Sequence, residues 1–282
     1  MKEPKLKFFH HKISMTERKK ITTKTLVNMK KGGEKIAALT AYDFLMAKFL
    51  DEAGVDIILV GDTLGNVVQG NPTTLTVTVD EMIYHAKIVK KAVSKALMVV
   101  DMPFMSYQVD LQEAVRNCGR VMKETGCDAV KLEGGERIAE IVQHLVKIGI
   151  PVMGHLGLTP QSINIFGTYV TRGTDQKEAR QIQNDAKILE HAGCFSIVLE
   201  KIPSVLAKKI SASIRIPTIG IGAGINCDGQ ILVTYDMLGM TEEFHPRFVR
   251  HFLNLAGEMK TAFKYYIKEV KNRKFPNKSE SY

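Results

Sequence analysis

Between residues 36 and 240 the chain repeats one pattern: a short, continuous apolar run, followed in most cases by a longer amphipathic stretch. The runs are Ile36–Thr40, Val55–Val60, Ala96–Asp101, Ala129–Glu133, Ile150–Gly154, Phe195–Glu200, Ile216–Gly220 and Ile231–Thr234. They are rich in Val, Ile and Leu and do not alternate with polar residues, which is how strands covered on both faces read. Apolar spacing between them predicts helices over Tyr42–Ala53, Val79–Ser94, Leu111–Thr125, Glu136–Ile148, Lys177–Ala192 and Val205–Ser211. Asp80, Asp110 and Pro203–Ser204 stand where caps or first turns belong. Eight strands interleaved with helices, without a break in composition, predict an α/β chain folded as one (β/α)8 TIM barrel. A doubly wound open sheet is the alternative.

A weak internal echo supports the repeat. Glu52–Asp62, Glu124–Glu133 and Glu190–Glu200 each run from an acid at a helix end, through a glycine, into an apolar strand closed by a carboxylate. The glycines are explained as left-handed helix caps; the closing carboxylates are not. Beyond Gly239 the pattern changes. From Pro246 to Lys271, residues Phe248, Phe252, Ala256, Met259, Phe263, Ile267 and Val270 fall at spacings of three and four. They predict a long C-terminal amphipathic helix packed on the barrel or on a neighbouring subunit. The domain reading is therefore a single barrel over 35–271, a basic arm over 1–34 and a basic tail over 272–282.

The net charge of +9 invites a nucleic-acid reading. However, residues 1–35 carry 11 Lys and Arg against 3 acids, and residues 258–282 carry 7 against 3. The body between them is faintly acidic. Basic ends without interleaved aromatics or a recognisable module are solvated arms, so a nucleic acid is not expected as the primary partner. No apolar run approaches the ~18–20 residues that span a bilayer, and no secretory signal is evident. The cysteines at 118, 127, 194 and 227 are too scattered for a disulfide framework or a CxxC metal site. A reducing cytoplasm is the expected location.

In a barrel of this kind function gathers at the carboxyl ends of the strands. Those ends hold Tyr42 and Asp43, Asp62, Asp101, Glu133, His155, Glu200, the Gly220–Gly224 loop and Asp236. One such acid is readily a helix cap, but several at one rim suggest a site. Converging carboxylates repel and call for a cation. Oxygen donors without cysteine favour Mg²⁺ or Mn²⁺ over zinc, and open coordination positions suit a chelating 2-oxo acid. Lys131, two residues before Glu133, shares its inward face. It either binds a substrate carboxylate or pairs with Glu133 or Asp101. His155 is a hydrogen-bonder or an acid–base group, and Gly220–Gly224 is at most a weak phosphate-loop signal.

At these positions the sequence resembles the ketopantoate hydroxymethyltransferase family, of the phosphoenolpyruvate/pyruvate barrel superfamily. The resemblance rests on Leu59-Val-Gly-Asp-Thr-Leu-Gly65, Asp101-Met-Pro-Phe-Met105, Lys131-Leu-Glu-Gly-Gly135, Gly154-His-Leu-Gly-Leu-Thr-Pro-Gln-Ser162, Val198-Leu-Glu200 and Ile219-Gly-Ile-Gly-Ala-Gly224, in order. It implies transfer of a hydroxymethyl unit from 5,10-methylenetetrahydrofolate to 3-methyl-2-oxobutanoate, giving 2-dehydropantoate for pantothenate and coenzyme A biosynthesis. It further implies one Mg²⁺ per subunit on Asp62, Asp101 and Glu133. Substrate contacts fall on Asp62, Thr63, Asp101 and Lys131, with Glu200 as proton acceptor, and the assembly is a homodecamer. The chain departs from the family at Asn71-Pro72 and at Thr76, and has Thr63 where serine is common. A carbon–carbon or phosphorus–carbon lyase of the same superfamily is the rival, but none of the four cysteines lies in the Lys-Lys-Cys-Gly-His type loop many of those carry.

Overall fold

The computed structural model describes residues 19–243 and 246–282. Its eight strands are β1 (Ile36–Thr40), β2 (Ile57–Val60), β3 (Leu97–Asp101), β4 (Ala129–Glu133), β5 (Val152–Gly157), β6 (Ser196–Glu200), β7 (Thr218–Ile221) and β8 (Gly229–Leu232). Each pairs in parallel with the next, and β8 closes on β1 with Ala38 opposite Ile231. That closure decides for the barrel over the open sheet.

Strand residues alternate between two apolar environments, as a two-residue period requires. Ile57, Leu59, Leu97, Val99, Ala129, Met153, Val198 and Ile219 fill the barrel interior. Residues of the opposite parity, such as Ile58, Met98, Val100, Val130 and Leu132, pack outward under the helices. Those helices are α1 (Thr23–Gly32), α2 (Phe44–Ala53), α3 (Val79–Lys90), α4 (Leu111–Thr125), α5 (Ala139–Lys147), α6 (Gln176–Ala192), α7 (Ser204–Ser213) and α8 (Leu255–Lys271). Their starts follow from capping chemistry. Asp43 and Asp110 accept from Met46 and Glu113 backbone N–H groups, and Thr78 forms a capping box with Glu81.

Within the stretch read as a basic arm over 1–34, residues 21–29 reach the barrel floor. Ile21, Leu26 and Met29 are buried against the barrel interior, so α1 plugs the floor. Two lysines at this floor are engaged in ion pairs. Lys20 pairs with Asp128 at 2.7 Å and Lys30 with Asp228 at 3.0 Å. Residues 1–18 lie outside the described residues.

Several strand boundaries shift from the sequence reading, and three bear on the site and the closure. β5 runs on to Gly157, which brings His155 inside the strand. β7 begins beyond Pro217. β8 begins earlier, at Gly229, where a side chain would collide with the Ile36 carbonyl of β1; a glycine that reads as a breaker is here a close approach. The C-terminal helix begins at Leu255, not Pro246. The backbone N–H groups of Phe252 and Leu255 donate to Met237 and Leu238 carbonyls in the turn after β8, so residues 246–254 cannot close helical bonds. They run beside the barrel mouth instead. In the single chain only Ala256 of α8 is buried, while Phe263, Ile267 and Val270 stay exposed. Among the described residues no helix is long and apolar enough to cross a membrane.

Candidate active site

The inward parity of each strand runs from apolar at the floor to charged at the mouth. Leu97 and Val99 lead to Asp101, Ala129 leads to Lys131 and Glu133, Met153 leads to His155, and Val198 leads to Glu200. Strand register places the charges side by side: Asp101 faces Lys131 across β3–β4, and Glu133 faces His155 across β4–β5. Asp62 is out of phase with its strand and is turned inward by the loop after β2, where its N–H donates to Asp101 Oδ2 at 3.1 Å. Asp62, Thr63, Asp101, Lys131, Glu133 and Glu200, the residues to which the family resemblance assigns roles, line one inner cavity of about 60 Å³ with His155, whereas Asp43 and Asp236 of the strand-end list do not.

Electrostatically the cavity is short of positive charge. Burial, reinforced by the charges of Asp101 and Glu133, lifts the Asp62 carboxyl to about 8. Burial also raises Asp101, against the pull of Lys131, which ion-pairs with its Oδ1. Burial opposes the Lys131 charge, but Asp101, Glu133 and Asp62 overcome it and hold the ammonium protonated. For His155, burial and Lys131 lower the proton affinity. Glu133 and Glu200 outweigh them, and the group rises to about 9. Its Nδ1 lies 3.2 Å from Glu133 Oε1 and its Nε2 3.2 Å from Glu200 Oε2. Glu133, despite burial, is held below the ordinary carboxyl value by His155 and Lys131.

Two further groups organise this cluster, and neither has a signal in periodicity or charge. Gln161 donates through Nε2 to Asp62 Oδ2 and the Met102 carbonyl, both at 2.9 Å, while its backbone N–H donates to Glu133 Oε2 at 3.0 Å. Tyr107 donates to Gln161 Oε1 at 2.8 Å, and its hydroxyl accepts from the Glu133 N–H at 3.0 Å. Gln161 lies within the Gly154–Ser162 run, so only the motif pointed to it. Thr63 Oγ1 is 2.7 Å from the buried Tyr42 hydroxyl, a bond that serine would also make.

Glu200 stands between two spaces. It lines the inner cavity and also an outer one of about 590 Å³, walled by Val67, Pro72, Leu158, Tyr169, Ile221 and Phe248. Its carbonyl sits 2.2 Å from where a side chain on Gly157 would begin, so this strand pair can close only on glycine. The next residue, Lys201, is held at φ 47, in the left-handed region rare for side-chain-bearing residues. The two departures from the family pattern meet at the rim of the outer space: Asn71 donates to Thr76 Oγ1 at 3.0 Å. The Thr76 hydroxyl serves as the acceptor, so the two positions form one loop-closing pair.

The cavity's donors suit a hard divalent cation: oxygens of Asp62, Asp101 and Glu133, with an Asp62 carboxyl whose charge lacks compensation. As the side chains stand, no three His, Cys, Asp or Glu among the described residues already form a metal-holding group. Lys131 and His155 balance the charge of Asp101 and Glu133 in its place.

The sequence profile of the ketopantoate hydroxymethyltransferase family matches residues 20–278. The chain belongs to that family. It is 56% identical over 270 residues to the 3-methyl-2-oxobutanoate hydroxymethyltransferase of Christiangramia forsetii, covering 96% of this chain and 99% of that one. It is 58% identical over 264 residues to the enzyme of the same name from Flavobacterium johnsoniae, covering 94% and 97%. The chain is thus an enzyme, a hydroxymethyltransferase. Solved structures with the same fold include a phosphonopyruvate hydrolase complexed with oxalate and Mg²⁺, with a TM-score of 0.60 at 10% identity over 92% of this chain and 93% of that one. Another is a 2,3-dimethylmalate lyase, with a TM-score of 0.57 at 14% identity over 92% and 87%. At such identities the likeness is one of fold.

Proposed function

We propose that this hydroxymethyltransferase takes 3-methyl-2-oxobutanoate as acceptor and 5,10-methylenetetrahydrofolate as donor. Its products are then 2-dehydropantoate and tetrahydrofolate, on the way to pantothenate and coenzyme A. The observation that carries this reading is the position of Glu200, between an inner acid-lined cavity and an outer, largely apolar one. The acceptor's name is that of the relatives at 55–58% identity.

One Mg²⁺ per subunit would be held by Asp62, Asp101 and Glu133 and would supply Lewis-acid stabilisation of negative charge developing on a bound 2-oxo acid. Lys131 neutralises the substrate carboxylate, aided by Thr63. Glu200, off the metal, accepts the C3 proton. The resulting nucleophilic carbon, C3, bonds to the methylene carbon of the folate in the outer space; both C–N bonds of that carbon break, one on opening of the folate ring and the second on displacement by water, each nitrogen keeping the electron pair and taking one proton (one from C3, one from the water), and water furnishes the hydroxyl oxygen. His155 spans Glu133 and Glu200 and fixes the base relative to the metal ligands. Four buried free cysteines agree with a reducing cytoplasm. The exposed apolar stripe of α8 agrees with homo-oligomer formation, a decamer being the assembly the family resemblance implies.

The test is exchange of the C3 hydrogen of 3-methyl-2-oxobutanoate into deuterated water, followed by NMR with and without Mg²⁺. Metal-dependent exchange is the expected result, and its absence in the wild-type enzyme would refute the reading.

A further inference from the structure

Asp236 closes the list of strand-end acids, yet nothing in the inner cavity uses it. It lies in the short helix Thr234–Met237 directly after β8, is buried, and accepts from Thr241 Oγ1 through Oδ1 at 2.5 Å. Its setting is the outer cavity, which it lines with Thr74, Val67, Tyr169 and Phe248. A carboxylate in a mainly apolar chamber carries a desolvation cost that a ligand can relieve by presenting N–H donors. A second observation points the same way. Thr74 is 4% exposed, it lines the same chamber, and its Oγ1 has no hydrogen-bond partner. A hydroxyl left unmatched at such a place is uncommon and awaits a polar atom from a guest.

Mainly apolar walls, with Asp236 buried on the side of the β8 turn and Glu200 at the inner boundary, define the guest's chemistry. It is a planar heterocycle with an apolar face and an edge bearing two adjacent N–H donors, geometrically like one side of a guanidinium. The 2-amino-4-oxo-pyrimidine edge of a reduced pterin has this form. We propose that Asp236 is the specificity-determining residue for the one-carbon donor. Its carboxylate receives the ring N–H and amino hydrogens of the pterin, and the Thr74 hydroxyl bonds a further polar atom of the same ring. The inference rests on the proposed donor, a reduced folate, and adds where that donor is recognised. The seat lies across Glu200 from the acid cluster, so the methylene carbon arrives on the side from which the inner substrate is deprotonated.

Isothermal titration of the full chain with tetrahydrofolate, and with 6-methyltetrahydropterin as the ring alone, tests this directly. Both should bind the wild type. Asp236→Asn presents an N–H₂ where an acceptor is needed and should weaken both by at least about tenfold. Asp236→Glu should recover part of the loss, and Thr74→Val should lose a few-fold. Wild-type binding by a folded Asp236→Asn protein, or no binding of the pterin ring by the wild type, overturns the inference. Should Asp236→Asn fail to fold, Phe248→Ala and Thr74→Val decide, and undiminished pterin affinity in both is the overturning result. Wild-type C3–H exchange needs no donor, so its failure would remove the proposed reaction, whereas its presence beside an indifferent Asp236 variant would remove only the pterin seat.

Discussion

The floor and the mouth of this barrel are built from the same eight strands and handle charge in opposite ways. At the floor each buried or half-buried ion has a partner: Lys20 meets Asp128, Lys30 meets Asp228, and α1 seals the interior with Ile21, Leu26 and Met29. At the mouth four carboxylates, Asp62, Asp101, Glu133 and Glu200, share two cations, Lys131 and His155. The floor is arranged for stability. The mouth holds uncompensated charge that binding can relieve, and such strain is retained where chemistry happens.

The contrast breaks most sharply at Glu200. Glu200→Gln should lower C3–H exchange by roughly 10²–10⁴-fold, the usual worth of a general base, while leaving binding of the 2-oxo acid intact. Exchange at the wild-type rate would remove Glu200 from the reaction. Next in size is Asp101→Ala. It strips a ligand and leaves Lys131 buried without its ion pair, so Mg²⁺ titration of exchange should no longer saturate in the wild-type range; an unchanged titration would refute ligation there. On the floor, Leu26→Ala should cost about 2–5 kcal/mol of stability from cavity formation, with exchange per folded molecule unaltered. A catalytic loss there would dissolve the division between the two ends.

A smaller effect is set by pH. The folded-state value of His155, about 9, lies above its ordinary 6.5, so its stabilising contribution is complete below about 6.5 and lost as pH climbs through 9. Asp62 has a folded value of about 8 against 3.8, so the cost of ionising it in the fold accumulates from about pH 3.8 to about 8 and overlaps the lower part of that climb. Metal-free protein should therefore melt at lower temperature at pH 8.5 than at pH 6. The gain in Tm on adding Mg²⁺ should be larger at the higher pH, because binding then displaces fewer protons. A gain independent of pH would count against a metal among these acids. Smallest of all, Lys20→Met at the half-exposed floor pair should change stability by about 1 kcal/mol or less.

The barrel was legible because both-face burial leaves continuous apolar runs, and the inner site was legible because its acids end those runs at a common parity. Asp101, Lys131, Glu133 and Glu200 follow from that rule alone. Gln161 and Tyr107 do not, since a neutral side chain tying two acids together through loops leaves no periodic trace. The start of α8 differs from the sequence reading because Phe248 and Phe252 keep helical spacing while the backbone N–H groups of Phe252 and Leu255 are committed to the turn after β8. Likewise α1 looked like a charged arm because the lysines that pin it to the floor are indistinguishable, in a one-dimensional chain, from solvated ones.

Asn71 and Thr76 hold each other across the loop that borders the outer chamber. Losing the hydroxyl at 76 or the amide at 71 undoes that clasp, so a graft of this loop onto another barrel keeps it only when both positions travel together.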